Sequence, residues 1–376
     1  MSVAVVIHGG GPTAVVNASL AGVAAECRRH KEVQSLLGAR FGIDGVLNDR
    51  YTELLGVDPA LLGAVAHSPG AALGSTRQGL DASGFDAAVR ALRRRNAKWV
   101  FCIGGNGTME MALALARAAP DLRVVGIPKT IDNDLEITDH TPGFPSAARF
   151  AAFFARDAGE DNRSLPSPVM VLETVGRDTG WVVAATALAR HRDDDAPHLI
   201  YLPERPLSAD RILAGVEEVY RRLGRVVVAV CEGQRDERGR PFGADEMDAE
   251  NARRRLPANL GFALARLISQ RLGIRARAEK PGLLGRSSSA YAVERDRYEA
   301  WRCGEEAVRA ALGGWTGAMM ALRHDGSVYL TSLDSVAGRV RKFPEEWIEP
   351  GGQGVRPEFL EWLRPLAGGV PSLPRL

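Results

Sequence analysis

The feature that most constrains the fold is a repeated order of apolar run, glycine-containing turn and helix-forming segment. In the first half of the chain, strands are predicted at residues 3–8, 99–103 and 124–127, and helices at residues 14–30, 86–96 and 108–118. This alternation is typical of a mainly parallel sheet with helices on both faces. It implies right-handed crossovers and ligands bound at the carboxyl ends of the parallel strands. We therefore expect a mainly parallel α/β fold with a site at these strand ends.

The same order continues in the second half of the chain and predicts a second α/β unit. Strands are predicted there at residues 168–173, 198–202 and 226–230, and helices at residues 146–158, 180–191 and 209–223. Residues from 347 onward are rich in Gly and Pro and are expected to wrap the surface. A chain of 376 residues is longer than one hydrophobic core usually supports, so two domains are expected.

The charge balance and the cysteines exclude several classes of protein. The 48 basic and 46 acidic residues give a net charge of +2, whereas a dedicated nucleic-acid binder carries a marked basic excess. No apolar stretch reaches the roughly 18 residues of a membrane span, so no membrane partner is expected. The four cysteines are scattered and form no C-x-x-C pair, which argues against a zinc site or a disulfide framework. A reducing, cytoplasmic location is expected.

The segment most informative about chemistry is residues 126–135, with the sequence GIPKTIDNDL. Asp132 and Asp134 follow a predicted buried strand at a two-residue spacing, so in an extended chain both carboxylates point to the same side. One carboxylate can accept a proton while the other holds a cation, and Lys129 and Thr130 can contact an anion. These groups suit phosphoryl transfer, in which positioning and charge neutralisation dominate catalysis.

Two glycine-rich turns precede predicted helices and are candidate phosphate-binding loops. Residues 9–11 are three glycines directly after the first predicted strand, and residues 104–108 have the sequence GGNGT. Glycines let backbone N–H groups approach an anion, and a helix N-terminus adds partial positive charge. Thr108 is also predicted to cap the helix that follows it. The alternative for each turn is a plain connection from strand to helix.

Charged residues at other strand ends complete the set of candidates. Arg177 can hold a phosphate with its planar guanidinium group, and Glu232 can accept hydrogen bonds from sugar hydroxyls. Arg77 and Arg286 are further candidate phosphate ligands, and the alternative for each is a solvated surface arginine. The sequence contains neither a G-x-S-x-G motif nor a P-loop, which excludes an α/β-hydrolase serine enzyme and a P-loop nucleotidase.

Taken together, these segments resemble the phosphofructokinase family. They occur in that family's order at residues 9–17, 73–77, 104–108, 128–134, 175–177 and 232–233, and the resemblance extends over roughly residues 3–326. It implies two Rossmann-like three-layer α/β domains with mainly parallel sheets and the active site in the cleft between them. The implied donor-binding domain comprises residues 1–143 plus about 287–340. The implied sugar-phosphate-binding domain comprises residues 144–286 plus about 341–376.

The resemblance also implies a reaction, the Mg²⁺-dependent transfer of a phosphoryl group from ATP or pyrophosphate to the 1-hydroxyl of fructose 6-phosphate in glycolysis. Asp132 is implied as the base that faces this hydroxyl, and Thr130 as the residue that orients the transferred group. Lys129 and Arg177 are implied as further catalytic residues.

The same resemblance assigns candidate ligand contacts. Mg²⁺ is implied to bind Asn106 and Asp134. The donor is implied to contact Gly11, Arg77, Gly105, Asn106, Gly107 and Thr108. The sugar phosphate is implied to contact Thr130, Asp132, Val175, Gly176, Arg177, Glu232, Arg277 and Arg286.

Two residues point to different donors. In this family an Asp at the position of Gly107 goes with pyrophosphate, because its side chain occupies the space of a nucleotide's α-phosphate, so Gly107 favours ATP. Lys129 favours pyrophosphate, since many pyrophosphate users carry a lysine there. A lysine attracts either anion, so we give the steric argument more weight and expect ATP. Asn106 and Pro168 depart from the family's pattern, which puts in doubt the strength of the metal site and one phosphate contact.

Three alternatives stay open at this point: pyrophosphate as the donor, another acceptor such as sedoheptulose 7-phosphate, and a non-catalytic regulator that binds a sugar phosphate. Sites of this family are built across a subunit interface, and Arg277 is implied to reach the sugar phosphate from a neighbouring subunit. A homodimer or a homotetramer is therefore expected.

Overall fold

The computed structural model describes residues 2–165, 168–242 and 259–375. Its strands are β1 (Val3–His8), β2 (Ser35–Ala39), β3 (Tyr51–Glu53), β4 (Ala97–Gly104), β5 (Arg123–Pro128), β6 (Val169–Thr174), β7 (Leu199–Tyr201), β8 (Val226–Cys231), β9 (Ala276–Glu279), β10 (Ala318–Leu322) and β11 (Val328–Ser332).

The α-helices of the described residues are α1 (Val16–Cys27), α2 (Ile43–Leu47), α3 (Pro59–Ala66), α4 (Ala82–Arg94), α5 (Asn106–Ala118), α6 (Phe144–Ser164), α7 (Trp181–Ala185), α8 (Ala209–Leu223), α9 (Leu260–Leu272), α10 (Leu284–Ser287), α11 (Glu294–Leu312) and α12 (Pro357–Ala367). Of the helices in these ranges, none combines the length and the apolar composition that crossing a bilayer requires.

The chain divides into two compact units. Unit 1 comprises Met1–Ser146 and Arg286–Arg341, and unit 2 comprises Ala147–Gly285 and Lys342–Leu376. Both units alternate strands with helices, and both sheets are mainly parallel. The mainly parallel α/β fold predicted from the sequence is therefore confirmed.

Unit 1 is built on a seven-stranded sheet in the order β11-β10-β5-β4-β1-β2-β3. The strands from β10 to β2 pair in parallel, whereas β3 and β11 are antiparallel edge strands. From β1 the chain continues to β2 on one side of it and later to β4 on the other side. The strand order therefore reverses between β1 and β4, and sheets of this kind open a ligand-binding crevice where the order reverses.

Alternate side chains of β1 enter two separate cores, one on each face of the unit 1 sheet. Val5 and Ile7 pack with α4 and α5, whereas Ala4 and Val6 pack with α1 and α11. Every residue of β1 is buried as a result, as expected for a central parallel strand covered on both faces. This three-layer packing holds the carboxyl ends of β1, β4 and β5 in fixed positions.

Unit 2 contains a four-stranded parallel sheet in the order β7-β8-β6-β9. Val171 and Val228 belong to a core formed with α8 and α9, and Leu172 and Val227 pack on the other face against Ala155 of α6. All residues of β6 and β8 are buried. The segments that follow β6 and β8 are therefore held in position by the two buried central strands of the sheet.

A cluster of five aromatic side chains joins the C-terminal segment to the start of α7 in unit 2. Trp181 lies with its ring centroid 5.0 Å from that of Phe343, and Trp347, Phe359 and Trp362 complete the aromatic cluster. Trp181 and Phe359 are fully buried. Residues from 347 onward were expected to wrap the surface, and the structure forms α12 there, which buries its apolar face in unit 2.

Several predicted element bounds also differ from the structure. Helix α4 begins at Ala82, four residues before the predicted start, because the side chain of Asp81 accepts a hydrogen bond from Gly84 N at 2.8 Å and caps it. The helix predicted over residues 180–191 ends at Ala185 and continues as a 3₁₀ turn over Thr186–Ala189. The short edge strands β3, β9 and β11 were not predicted, since few of their residues are buried.

Candidate active site

Three polar segments of unit 1 meet at the carboxyl edge of adjacent parallel strands. Residues 9–11 follow β1, residues 105–107 follow β4, and residues 129–134 follow β5. Because β5, β4 and β1 are neighbours in the sheet, the two glycine-rich turns and the aspartate segment lie side by side. The reversal of strand order falls between the first two of these segments, where an α/β sheet binds its ligand.

Lys129 lies at the centre of these three segments. Its Nζ donates hydrogen bonds to Gly9 O at 2.9 Å and to Gly11 O, and its side chain is almost wholly buried, with 3% of the residue exposed. Burial, and to a smaller extent the positive charge of Arg286, lower the pKa of Lys129 to about 7. Lys129 therefore fixes the conformation of the turn after β1 and carries a charge that titrates close to neutral pH.

Two further cationic side chains line the turn after β1. A Cβ atom added to Gly11 would lie 3.2 Å from Arg286 Nη1 and 3.4 Å from Arg77 Nη2, so a side chain at this position would displace one or both guanidinium groups. Arg77 is exposed and Arg286 is half-buried. Together with Lys129, these arginines place three cationic side chains at this edge of the sheet, where they can contact a polyanion.

The turn after β4 leads directly into α5. Gly105 is the N-cap residue and α5 begins at Asn106, so the prediction that Thr108 caps this helix was wrong. Thr108 lies inside the first turn, where its buried side chain packs against Gly9 and Gly104. The first N–H groups of a helix have no partner within the helix, and the start of α5 can therefore bind an anion at the sheet edge.

Gly107 lies in this first turn and is exposed. A Cβ atom added there would meet no atom within 4 Å. The space that a larger side chain would occupy is therefore open, and nothing within the described residues of unit 1 fills it. Gly107 is the position at which the family resemblance distinguishes ATP from pyrophosphate as the donor.

The aspartate segment is bent rather than extended. Asn133 adopts a left-handed conformation with φ of 51°, so the extended chain assumed for Asp132 and Asp134 does not hold. Both carboxylates still act on Lys129: their negative charges raise its pKa, although the lowering by burial is larger. Asp132 N donates to Thr130 Oγ1 at 3.1 Å, which closes the bend. Asp132 and Asp134 are half-buried and lie close to Lys129.

Asn106 and Asp134 are directly paired. Asn106 Nδ2 donates to Asp134 Oδ2 at 2.8 Å, and Asn106 Oδ1 is a buried oxygen that accepts no hydrogen bond from the described residues. Mg²⁺ is usually bound by one or two protein oxygens together with phosphate oxygens and water. This pair fits such a partial ligand set. Across residues 2–165, 168–242 and 259–375, no group of three or more His, Cys, Asp or Glu side chains could hold a metal by itself.

The candidate sugar-phosphate residues of unit 2 lie at the carboxyl ends of β6 and β8. Gly176 and Arg177 follow β6 with φ of 148° and 43°, and Glu232 follows β8. The loops are in contact, since Glu232 N donates to Thr174 O at 3.0 Å and a Cβ atom on Gly233 would overlap Arg177 O. The exposed side chain of Arg177 is thus presented by a backbone that two strands fix in place.

The Glu232 carboxylate lies over this pair of loops. Burial raises the pKa of Glu232, and the nearby Glu173 carboxylate raises it further. The positive charge of Lys280 and the N–H groups of Gly176 and Arg177 lower it. The balance leaves Glu232 as a hydrogen-bond acceptor that loses its charge more readily on acidification than an ordinary glutamate.

Val175 and Arg277 occupy less central positions in unit 2. Val175 is half-buried directly after β6, and it lines a small apolar cavity with Phe150 and Phe154. Arg277 lies in the edge strand β9, opposite Met170 of β6, and is half-buried.

One ion pair beside Glu232 was missed by the sequence reasoning. Lys280 Nζ donates to Glu173 Oε1 at 2.5 Å, and Glu173 Oε2 accepts a hydrogen bond from Gly261 N at 2.7 Å. The Glu173 side chain is fully buried. These partners are far apart in the sequence, and only the position of Glu173 at the end of a predicted strand could have drawn attention to it.

Comparisons with known proteins identify the family to which this chain is similar. The sequence model of the phosphofructokinase family matches residues 3–311. The pyrophosphate–fructose 6-phosphate 1-phosphotransferase of Rhodospirillum rubrum is 38% identical, over 99% of this chain and 96% of its own length. An ATP-dependent 6-phosphofructokinase of Streptomyces coelicolor is 33% identical, over 80% of this chain and 85% of its own length.

The fold agrees as well. The crystal structure of a pyrophosphate-dependent phosphofructokinase from Marinobacter aquaeolei matches with a TM-score of 0.88 and 28% identity, over 100% of this chain and 94% of that one. The family model covers most of the chain, and the Rhodospirillum rubrum relative matches nearly all of it. The chain therefore belongs to the phosphofructokinase family.

Proposed function

We propose that the protein transfers a phosphoryl group from pyrophosphate to the 1-hydroxyl of fructose 6-phosphate, as a step of cytoplasmic glycolysis. The observation that carries the proposal is the meeting of the two glycine-rich turns and the Asp132–Asp134 segment at one sheet edge, beside Lys129 and two arginines. A dense positive cluster beside two carboxylates meets the needs of phosphoryl transfer, in which the protein positions the groups and neutralises charge.

The proposed chemistry needs one base and several cations. The 1-hydroxyl oxygen attacks the terminal phosphorus, the bond from that phosphorus to the leaving phosphate breaks, and Asp132 accepts the hydroxyl proton. Thr130 orients the transferred group, and Arg77, Arg286 and Lys129 stabilise the negative oxygens of the donor. Charge on these oxygens is highest as the leaving phosphate departs, so the cations favour the transition state.

Mg²⁺ is proposed to bind Asp134 and Asn106. When bound, it neutralises donor oxygens, as metal ions do in phosphoryl transfer. Asn106 Nδ2 holds Asp134 Oδ2 in place at 2.8 Å, so the pair is oriented before a metal arrives. Donor phosphates would supply the ligands that the protein does not.

The acceptor is proposed to bind to the loops of unit 2. Arg177 contacts the 6-phosphate through its planar guanidinium group, and Glu232 accepts hydrogen bonds from the sugar hydroxyls. Val175 and Gly176 contact the sugar through the chain after β6. Arg277 is proposed to serve a neighbouring copy of the chain, which makes a homodimer the smallest active form.

The donor is the point on which the sequence and the relatives differ. The sequence favours ATP because Gly107 leaves space for an α-phosphate, and the structure has open space there. Lys129, however, lies buried against the turn after β1, where it adds to a compact positive site. The relative with 38% identity is named for pyrophosphate. We therefore propose pyrophosphate first, and keep ATP as the second candidate on the strength of Gly107.

A two-donor assay tests both proposals. Purified protein is incubated with fructose 6-phosphate, Mg²⁺ and either pyrophosphate or ATP, and fructose 1,6-bisphosphate is measured. We expect kcat/KM to be higher with pyrophosphate, and a preference for ATP would reverse the order of the donors. Absence of the bisphosphate with both donors would refute the function, and sedoheptulose 7-phosphate as a parallel acceptor would reveal a different sugar.

The variant Asp132→Ala tests the proposed base in the same assay. We expect kcat to fall at least about a hundredfold, as is usual when a general base is lost. Melting temperature should stay close to that of the wild type, because Asp132 is half-buried and belongs to neither core of unit 1. Near-normal turnover by a folded variant would show that another group accepts the proton.

A further inference from the structure

Asp296 is a fully buried carboxylate in the first turn of α11. Its Oδ1 accepts a hydrogen bond from Gly143 N at 2.8 Å, and its Oδ2 accepts from Ser146 N at 3.1 Å and from Ser146 Oγ at 2.5 Å. Burial raises the pKa of Asp296 to about 6, and these three hydrogen bonds oppose the rise. A buried carboxylate is costly unless such donors satisfy it, so the group specifies the position of residues 143–146.

The segment that Asp296 holds is itself bound to the aspartate segment. Thr130 N donates to Pro142 O at 3.2 Å, and Thr141 Oγ1 donates to Thr130 O at 2.8 Å. Thr141 N donates to Asn133 Oδ1 at 3.0 Å, which supports the left-handed conformation of Asn133. Thr130 and Gly143 also form a parallel β-bridge.

These contacts form one continuous connection from α11 to the proposed base. Asp296 binds residues 143–146, residues 141–143 bind Thr130 and Asn133, and Asp132 lies between those two residues. Fixed side-chain networks of this kind hold a catalytic group in a productive geometry. A displacement of about 1 Å at a catalytic group can cost roughly a hundredfold in rate.

We propose that Asp296 is a positioning residue for phosphoryl transfer, which holds residues 141–146 against the Thr130–Asn133 bend and thereby fixes Asp132 opposite the acceptor hydroxyl. The inference rests on the proposed function of Asp132. Asp296 acts through hydrogen bonds alone and touches no reactant.

A residue that only ties α11 to its neighbours would behave differently, and the chain offers such a residue as a control. Glu26 of α1 is buried and binds the opposite end of α11, accepting hydrogen bonds from Arg309 Nε at 2.8 Å and Arg309 Nη2 at 3.0 Å. Loss of either carboxylate weakens an attachment of α11. Only Asp296 is connected to the aspartate segment by the contacts described above.

The test compares Asp296→Asn with Glu26→Gln by steady-state kinetics and thermal melting. The amide side chain of the Asp296→Asn variant would still accept from Gly143 N but would place an N–H donor against the Ser146 N–H group. We expect kcat to fall roughly 10- to 100-fold while KM for fructose 6-phosphate changes less than about twofold. Glu26→Gln is expected to lower the melting temperature with kcat within about twofold of the wild type.

Two additions keep the outcome decisive. If Asp296→Asn does not fold, Ser146→Ala removes the hydroxyl that binds Asp296 Oδ2 and is expected to lower kcat by about fivefold or more. Amide hydrogen exchange over residues 130–133 should accelerate in the Asp296 variant and not in Glu26→Gln, whether or not the wild type is active. Unchanged exchange, or unchanged kcat in a folded variant of an active enzyme, would overturn the inference, whereas an inactive wild type would refute only the proposed function.

Discussion

Replacing Lys129 with methionine isolates the cost of burying its charge. Methionine has a similar length and no charge, so the variant keeps much of the packing while losing the hydrogen bonds to Gly9 O and Gly11 O. Because the pKa of Lys129 is about 7 in the folded protein and 10.5 ordinarily, the unfolded chain binds a proton between these values that the native protein does not. Native stability of the wild type therefore rises with pH across this window.

The size of the effect follows from the same shift. Each pKa unit corresponds to about 1.4 kcal/mol, so the free energy of unfolding of the wild type should rise by about 3 kcal/mol relative to Lys129→Met between roughly pH 6 and pH 9. Below about pH 7 the cost of the buried charge is fully present. The loss of the two hydrogen bonds adds an offset that does not depend on pH.

Urea unfolding of both proteins across this pH range measures the difference directly. Lys98→Met removes an exposed lysine of β4 and controls for the general effect of one lost charge. A difference between wild type and Lys129→Met that stays flat, or that changes in the opposite direction, would refute the assignment of a desolvated Lys129.

Two further predictions concern the ligand sites. Gly107→Asp should depress kcat/KM for ATP more than for pyrophosphate, because the new side chain would fill space that is open beside the start of α5; equal losses in the two-donor assay would contradict the steric argument. Glu232→Gln should raise KM for fructose 6-phosphate roughly tenfold through the loss of a charged acceptor. Since burial raises the pKa of Glu232, the wild-type KM should also rise on acidification, and a glutamine variant with the same pH dependence would show that Glu232 is not the cause.

Local patterns predicted the strands that carry the candidate site. Each of β1, β4, β5, β6 and β8 contains an apolar run that the sequence identified as a strand, and each is followed by a segment that the sequence singled out as a candidate for binding or catalysis. The preference for right-handed crossovers determines the order of these strands in the sheet only in part. The position of β4 beside β1, which creates the crevice, depends on packing that no short segment encodes.

Predictions that relied on spacing were less successful within the site. The two-residue interval between Asp132 and Asp134 suggested an extended chain, but Asn133 is held in a left-handed conformation by Thr141. Thr108 has the residue type of a cap, yet α5 begins two residues before it. In both cases contacts outside the short motif accompany the departure from the local preference: Asn133 is bound by Thr141, eight residues further on, and Thr108 packs against Gly9 of the turn after β1.

The partners in long-range pairs could not have been predicted from the sequence. Asp296 with Ser146, and Lys280 with Glu173, join residues more than a hundred positions apart. For Asp296, nothing in the surrounding sequence distinguishes it from a solvated surface group, and for Glu173 the only signal is its position at the end of a predicted strand. Their burial is decided by which helices and strands cover them, and this depends on the assembled fold.

The aromatic cluster of unit 2 has an optical consequence. Of the six tryptophans of the chain, Trp181, Trp347 and Trp362 lie with ring centroids 5.4–6.0 Å apart. Indole rings this close exchange excitation energy, so the fluorescence of the three tryptophans is coupled. Because Trp181 comes directly after the loop that presents Arg177, the fluorescence of this cluster reports on the conformation of that part of unit 2 without an attached dye.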